Sequence, residues 1–111
     1  MHVQVNTGRH VPGGEELQRR VQGVVEDAMA RFGDRITRVE VHLNDVNGPK
    51  PGESDQRCAM EARLAGMQPI TVTEQAGTVD QALEGAAQKL QRVLDSTLGR
   101  AIDQARSGGR P

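Results

Sequence analysis

Between Ile36 and Leu64 apolar residues return at every second position on both sides of a turn-rich segment, and no other stretch constrains the fold as strongly. The first arm is Ile36-Thr37-Arg38-Val39-Glu40-Val41-His42-Leu43 and the second is Arg57-Cys58-Ala59-Met60-Glu61-Ala62-Arg63-Leu64. A period of two puts alternate side chains on opposite faces of a strand, so each arm buries one face and wets the other. Asn47-Gly48-Pro49-Lys50-Pro51-Gly52 lies between them, and glycine and proline do not continue a strand comfortably. A long antiparallel hairpin follows, central to a small sheet.

The remaining chain attaches to that hairpin. His2-Val3-Gln4-Val5-Asn6-Thr7 alternates as a short first strand, closed by the Gly8–Gly14 segment. Leu17, Val21, Val24, Val25, Ala28, Met29 and Phe32 recur at three- and four-residue spacing, which predicts a helix with one apolar face. Glu15 and Glu16 suit its positive N-terminal end, and Gly33 suits its close. A helix between two strands implies a right-handed crossover and makes strands one and two parallel. After the hairpin, Gly66-Met67-Gln68-Pro69 is a turn and Ile70-Thr71-Val72-Thr73 a short fourth strand. Thr78-Val79-Asp80-Gln81 has the form of a capping box. It opens a second amphipathic helix through Val79, Ala82, Leu83, Ala86, Ala87, Leu90, Val93, Leu94 and Leu98.

The order strand, helix, three strands, helix predicts an α+β two-layer sandwich: a four-stranded sheet with both helices on one face. At 111 residues, 1–104 form one domain and 105–111 a disordered tail. Phe32 is the sole aromatic residue, so the core rests on Val, Leu, Ile, Met and Ala. Cys58 is the single cysteine, which excludes an internal disulfide or multi-cysteine zinc site. No run approaches the ~18 apolar residues of a membrane span and no charged-then-apolar leader is present, so a soluble cytoplasmic protein is expected.

Chemistry is sparse. Asp45, Asp55, Glu61 and His42 lie near the hairpin but match no metal-ligand spacing, and Cys58 falls on the inward face with Met60. No catalytic residue, metal or cofactor is expected. A net charge of −1 gives no global basic field, so nucleic-acid binding would need local segregation of charge. At about 100° per residue, Lys89, Arg92 and Arg100 share a stripe of the second helix with Ser96, while Asp80, Glu84 and Asp95 lie elsewhere. Arg20 and Arg31 flank the apolar stripe of the first helix. The two helices together could present a phosphate-contact face. The outer sheet face, carrying Arg38, Glu40, His42, Arg57, Glu61 and Arg63, reads as solvated with opposite charges paired across strands, or as a polar contact surface.

In this order, several pieces resemble the short-form ribosome hibernation-promoting factors, the sigma-54 modulation protein family. They are Gly8-Arg9-His10, Arg31-Phe32-Gly33-Asp34-Arg35-Ile36 leading into Val39-Glu40-Val41, Ala82-Leu83, and Lys89-Leu90-Gln91-Arg92-Val93-Leu94. The resemblance covers roughly residues 2–100. It implies a fold similar to double-stranded-RNA-binding domains and a non-enzymatic factor that binds the small ribosomal subunit through rRNA phosphates. Such a factor inhibits translation or protects idle ribosomes under stress. Arg31, Lys89, Arg92 and Arg100 match positions where the family often has basic residues, and Arg9 is a softer match; Arg20 joins them from the charge pattern. Ala28 stands where the family usually has Lys, Asp80 where Tyr is common, and Ser96 and Leu98 where an alternating basic run ends the last helix. The C-terminal dimerisation domain of the long forms is not expected. The alternative is a protein-interaction or regulatory module on the same fold. It would use the 44–57 hairpin loop, with Lys50, Asp55 and Arg57 as a contact site, and the open sheet face.

Overall fold

The computed structural model describes residues 1–8, 11–46 and 56–108, with side chains described as far as Gly99. The two alternating arms form β2 (Ile36–Asp45) and β3 (Gln56–Leu64), paired antiparallel with Val39 opposite Ala62, Val41 opposite Met60 and Leu43 opposite Cys58. All six of these side chains are buried. The strand β1 (His2–Thr7) runs parallel to β2, Val3 beside Val39 and Val5 beside Val41, and β4 (Ile70–Ala76) runs antiparallel to β3. The sheet order is β1-β2-β3-β4. A parallel first pair is what a helical crossover between β1 and β2 requires.

Helix α1 (Glu15–Met29) buries Leu17, Val21, Val25 and Met29, then tightens into a 3-10 segment, Ala30–Arg35, that buries Phe32. Gly33 has φ 56°, the left-handed region that side chains with a Cβ adopt at a cost, so a glycine lets the chain turn from helix into β2 here. Helix α2 (Val79–Gly108) opens on the threonine half of the expected capping box: the Gln81 backbone N–H donates to Thr78 Oγ1 at 3.1 Å, and the Ala82 backbone N–H donates to the Thr78 carbonyl at 3.0 Å. The buried residues Ala82, Leu83, Ala86, Ala87, Leu90, Leu94 and Leu98 of α2 join those of α1 and the inward strand residues in one cluster. Both helices therefore cover the same sheet face. Among the described residues no helix is long and apolar enough to cross a membrane.

Three details differ from the sequence expectation. The fourth strand continues through Glu74, Gln75 and Ala76, because these residues still pair with Cys58, Arg57 and Gln56 of the long β3. Helix α2 passes residue 104 to Gly108, since no proline or run of glycines interrupts Asp103-Gln104-Ala105-Arg106. On the outer sheet face the ion pairs of Arg38 and Arg63 run along strands, not across them. Arg38 lies opposite Arg63 and Glu40 opposite Glu61. Each arginine instead meets the glutamate two positions away on its own strand: Arg38 to Glu40 at 3.1 Å and Arg63 to Glu61 at 3.2 Å. Side chains two apart share a face, so this arrangement neutralises like charges that the register sets side by side.

Cys58 is fully buried, and desolvation of its thiolate pushes the thiol from 9.0 up to about 12. It should react with an aromatic disulfide reagent at pH 8 only as fast as the protein unfolds; fast labelling of the native protein would contradict this packing. The unfolded thiol ionises first as pH rises above 9.0, whereas the folded thiol keeps its proton until about 12. Stability from this group is thus present below pH 9.0 and falls through the interval above it.

Candidate nucleic-acid interface

Asp80, Glu84, Ala87, Gln88, Gln91 and Asp95 recur at three- and four-residue spacing along α2, so they line one side of it, and that side meets α1. Arg20 Nη1 donates to both carboxylate oxygens of Asp80, at 2.9 and 3.0 Å. Arg31 Nη1 donates to Asp95 at 2.9 and 3.3 Å. Between these ion pairs Gln91 Nε2 donates to the Ala28 carbonyl at 3.0 Å. Residues 20, 28 and 31 therefore meet 80, 91 and 95 in the same order, and the helices lie side by side in the same direction. The groove between them has Val24, Ala28 and Ala87 along its floor and Asp27 and Glu84 on its walls.

Lys89 lies on the other flank of α2, above β4. Its Nζ donates to the Thr73 carbonyl at 2.8 Å and stands 3.2 Å from Glu74 Oε1. Thr73 belongs to a strand at the edge of the sheet, and an ammonium on an edge carbonyl blocks pairing with another strand. Glycine at position 85 makes room for the acid: a Cβ there would come within 2.5 Å of Glu74 Oε2 and 2.7 Å of its Cγ. Arg57 reaches the same recess, lined by Arg57, Thr73, Glu74, Gln75 and Lys89. Two cations that the sequence assigned to separate surfaces thus meet around one strand edge.

The exposed Arg92 makes no ion pair with any described residue. Arg35 is also exposed without a side-chain partner, and it lines a recess with Arg31, Phe32, Asp95, Leu98 and Gly99. The Arg31 guanidinium lies 5.9 Å from the centre of the Phe32 ring, close enough for a cation–π contact. Arg9, Lys50 and Asp55 lie outside the described residues; Arg100 falls on α2, but its side chain is beyond those described. Expected as one basic face, the helix cations are divided between the α1–α2 seam, the β4 flank and the solvent crest. Of the expected contact cations with described side chains, Arg20, Arg31 and Lys89 hold an acid and Arg92 does not. Sequence reasoning missed Arg35, although it stands in the quoted Arg31–Ile36 stretch. It also missed that Asp80, Asp95 and Glu74 neutralise the cations. Among the described residues no group of three His, Cys, Asp or Glu side chains could hold a metal ion.

Residues 4–102 match the family described as sigma 54 modulation protein / S30EA ribosomal protein. The chain belongs to this family. The S30EA family consists of non-catalytic ribosome-associated factors, in keeping with the expectation of a non-enzymatic chain. Two solved structures share the fold. The N-terminal domain of Thermus thermophilus Protein Y is 16% identical with a TM-score of 0.70, the alignment covering 87% of this chain and 99% of that one. A ribosomal subunit interface protein from Coxiella burnetii is 17% identical with a TM-score of 0.65, covering 89% and 99%. No curated protein sequence matches.

Proposed function

We propose that this protein binds the small ribosomal subunit through rRNA phosphates, using the cations of α1, the 3-10 segment and α2, and there inhibits translation or protects idle ribosomes under stress. Membership of the S30EA family across residues 4–102 carries this reading, and the Coxiella burnetii relative is itself described as a ribosomal subunit interface protein. Arg92 and Arg35 need only shed water to contact phosphate, since neither is held by an acid. Arg20, Arg31 and Lys89 add contacts if their carboxylate partners yield, and Arg9 and Arg100 belong to the same set by sequence. With a net charge of −1 and a cytoplasmic ribosome as target, binding rests on local phosphate contacts and weakens as salt rises. The mechanism is occlusion without bond chemistry.

Co-sedimentation with purified small ribosomal subunits tests this directly. The protein pellets with subunits at low salt and is released at high salt, and its addition lowers output in a reconstituted translation system. Failure to pellet at low salt overturns the reading.

A further inference from the structure

The arginines of the α1–α2 seam are already occupied by anions. Asp80 sits on Arg20 and Asp95 on Arg31, each within 2.9 Å, and both contacts use Nη1 of the guanidinium. A carboxylate and a phosphate present similar oxygen geometry to arginine, so Asp and RNA compete for the same N–H groups. The pairs are open to solvent: Arg20 and Asp80 are 45% and 56% exposed, Arg31 and Asp95 55% and 45%. Exposed ion pairs hold their partners weakly, so exchange is available to a polyanion that supplies many phosphates at once. At the Asp95 end the unpaired Arg35 lines the same recess as Arg31, which gives an incoming phosphate two cations.

We propose that Asp95 and Asp80 act as internal phosphate mimics, occupying the anion seats of Arg31 and Arg20 so that the helix seam takes an RNA phosphate only by exchanging a carboxylate for it. This deepens the ribosome-binding reading above and rests on it. The two acids set the affinity of the seam. They disfavour isolated anions and short RNA, and yield only where neighbouring cations such as Arg35 and Arg92 hold the strand in place. The pairs also tie α1 (through Arg20) and the 3-10 segment (through Arg31) to α2, so exchange at either end transfers an arginine from a contact within the fold to the ligand.

Asparagine keeps the shape of aspartate and removes the charge, so the test is Asp95→Asn, alone and with Asp80→Asn, in the small-subunit sedimentation assay. Each substitution should tighten binding about fivefold, the size of one unit-charge interaction at about 4 Å in water. Glu16→Gln is the control: Glu16 is exposed and without a side-chain partner among the described residues, so it changes net charge equally but frees no arginine. A gain no greater than that of Glu16→Gln overturns the proposal. In the cycle with Arg31→Gln, the gain from Asp95→Asn should vanish, and its persistence without Arg31 overturns the proposal as well. Wild-type binding with no gain in the Asn variants removes this inference and leaves the proposed function standing. Absence of binding by wild type and by both Asn variants removes both.

Discussion

Leu90→Ala should destabilise the fold by about 2–5 kcal/mol and lower the urea midpoint by about 2 M with little change in slope. Leu90 is 0% exposed, on the face of α2 that packs over β3 and β4, and belongs to the one cluster joining both helices to the sheet. The cavity cannot be filled cheaply. Its buried neighbours along the helix are Ala86, Ala87 and Leu94, two of which have no side chain long enough to swing into the space. A chain of this size is stabilised by only about 5–15 kcal/mol in total, so the loss is a large fraction of it. Val93 is the internal comparison. On the same helix but 39% exposed, Val93→Ala should cost less than about 1 kcal/mol. Equal effects at both positions would contradict the packing described for α2.

That contrast shows which physical signals a sequence carries. Period two in β2 and β3 and three-to-four spacing in the helices are local, because burial of one face is imposed residue by residue. Val39, Val41, Leu43, Cys58, Met60 and Ala62 therefore fell on the inward face by alternation alone. The Thr78 cap and the Gly33 turn were legible for the same reason: each acts on atoms within a few residues. The end of β4 was not. Glu74 occupies an inward parity where an apolar residue is expected, and it is tolerated there because Gly85 leaves space and Lys89 supplies a countercharge, both from α2.

The candidate site was half legible. Arg20, Arg31, Lys89 and Arg92 stand out as residue types on helix flanks, but what holds them depends on packing. Arg20 and Asp80 are 60 positions apart, and Arg31 and Asp95 are 64 apart. No period connects them. Helical phase places Asp80 and Asp95 away from Lys89 and Arg92, which in isolation makes the acids look harmless to a basic face. Once α1 lies against the acidic side of α2, those same residues face the arginines of its neighbour. Segregation of charge on one helix became pairing of charge between two. Arg38 and Arg63 on the sheet repeat the pattern, with each cation holding a nearby glutamate. The chain thus carries its 14 basic residues against 15 acidic ones without a strong field, and the proposed phosphate contacts start from the few cations left unpaired.

On the proposed reading, Lys89→Glu/Arg92→Glu, which reverses the unpaired Arg92 together with a second cation of α2, should weaken ribosome binding strongly. Arg92 is exposed and unpaired, so its reversal removes one phosphate contact and substitutes a repulsion, roughly 2 kcal/mol at about 4 Å in water, or about thirtyfold. Lys89 stands beside Glu74 and on the Thr73 carbonyl, so part of its charge is already used within the fold. Its reversal sets two carboxylates face to face and leaves the β4 edge uncovered, costing stability as well as affinity. Lys89→Gln separates these effects, since it withdraws the charge without creating the repulsion. For the double reversal the loss is about two to three orders of magnitude at low salt. The salt dependence supplies the decisive number. Each phosphate contact contributes about 0.7 to 0.9 to the slope of log affinity against log salt, so losing both lowers it by about 1.4 to 1.8. A weaker but equally salt-sensitive complex would mean that the variant is partly unfolded while its phosphate contacts persist elsewhere. An unchanged affinity and slope would mean that α2 faces away from the ribosome.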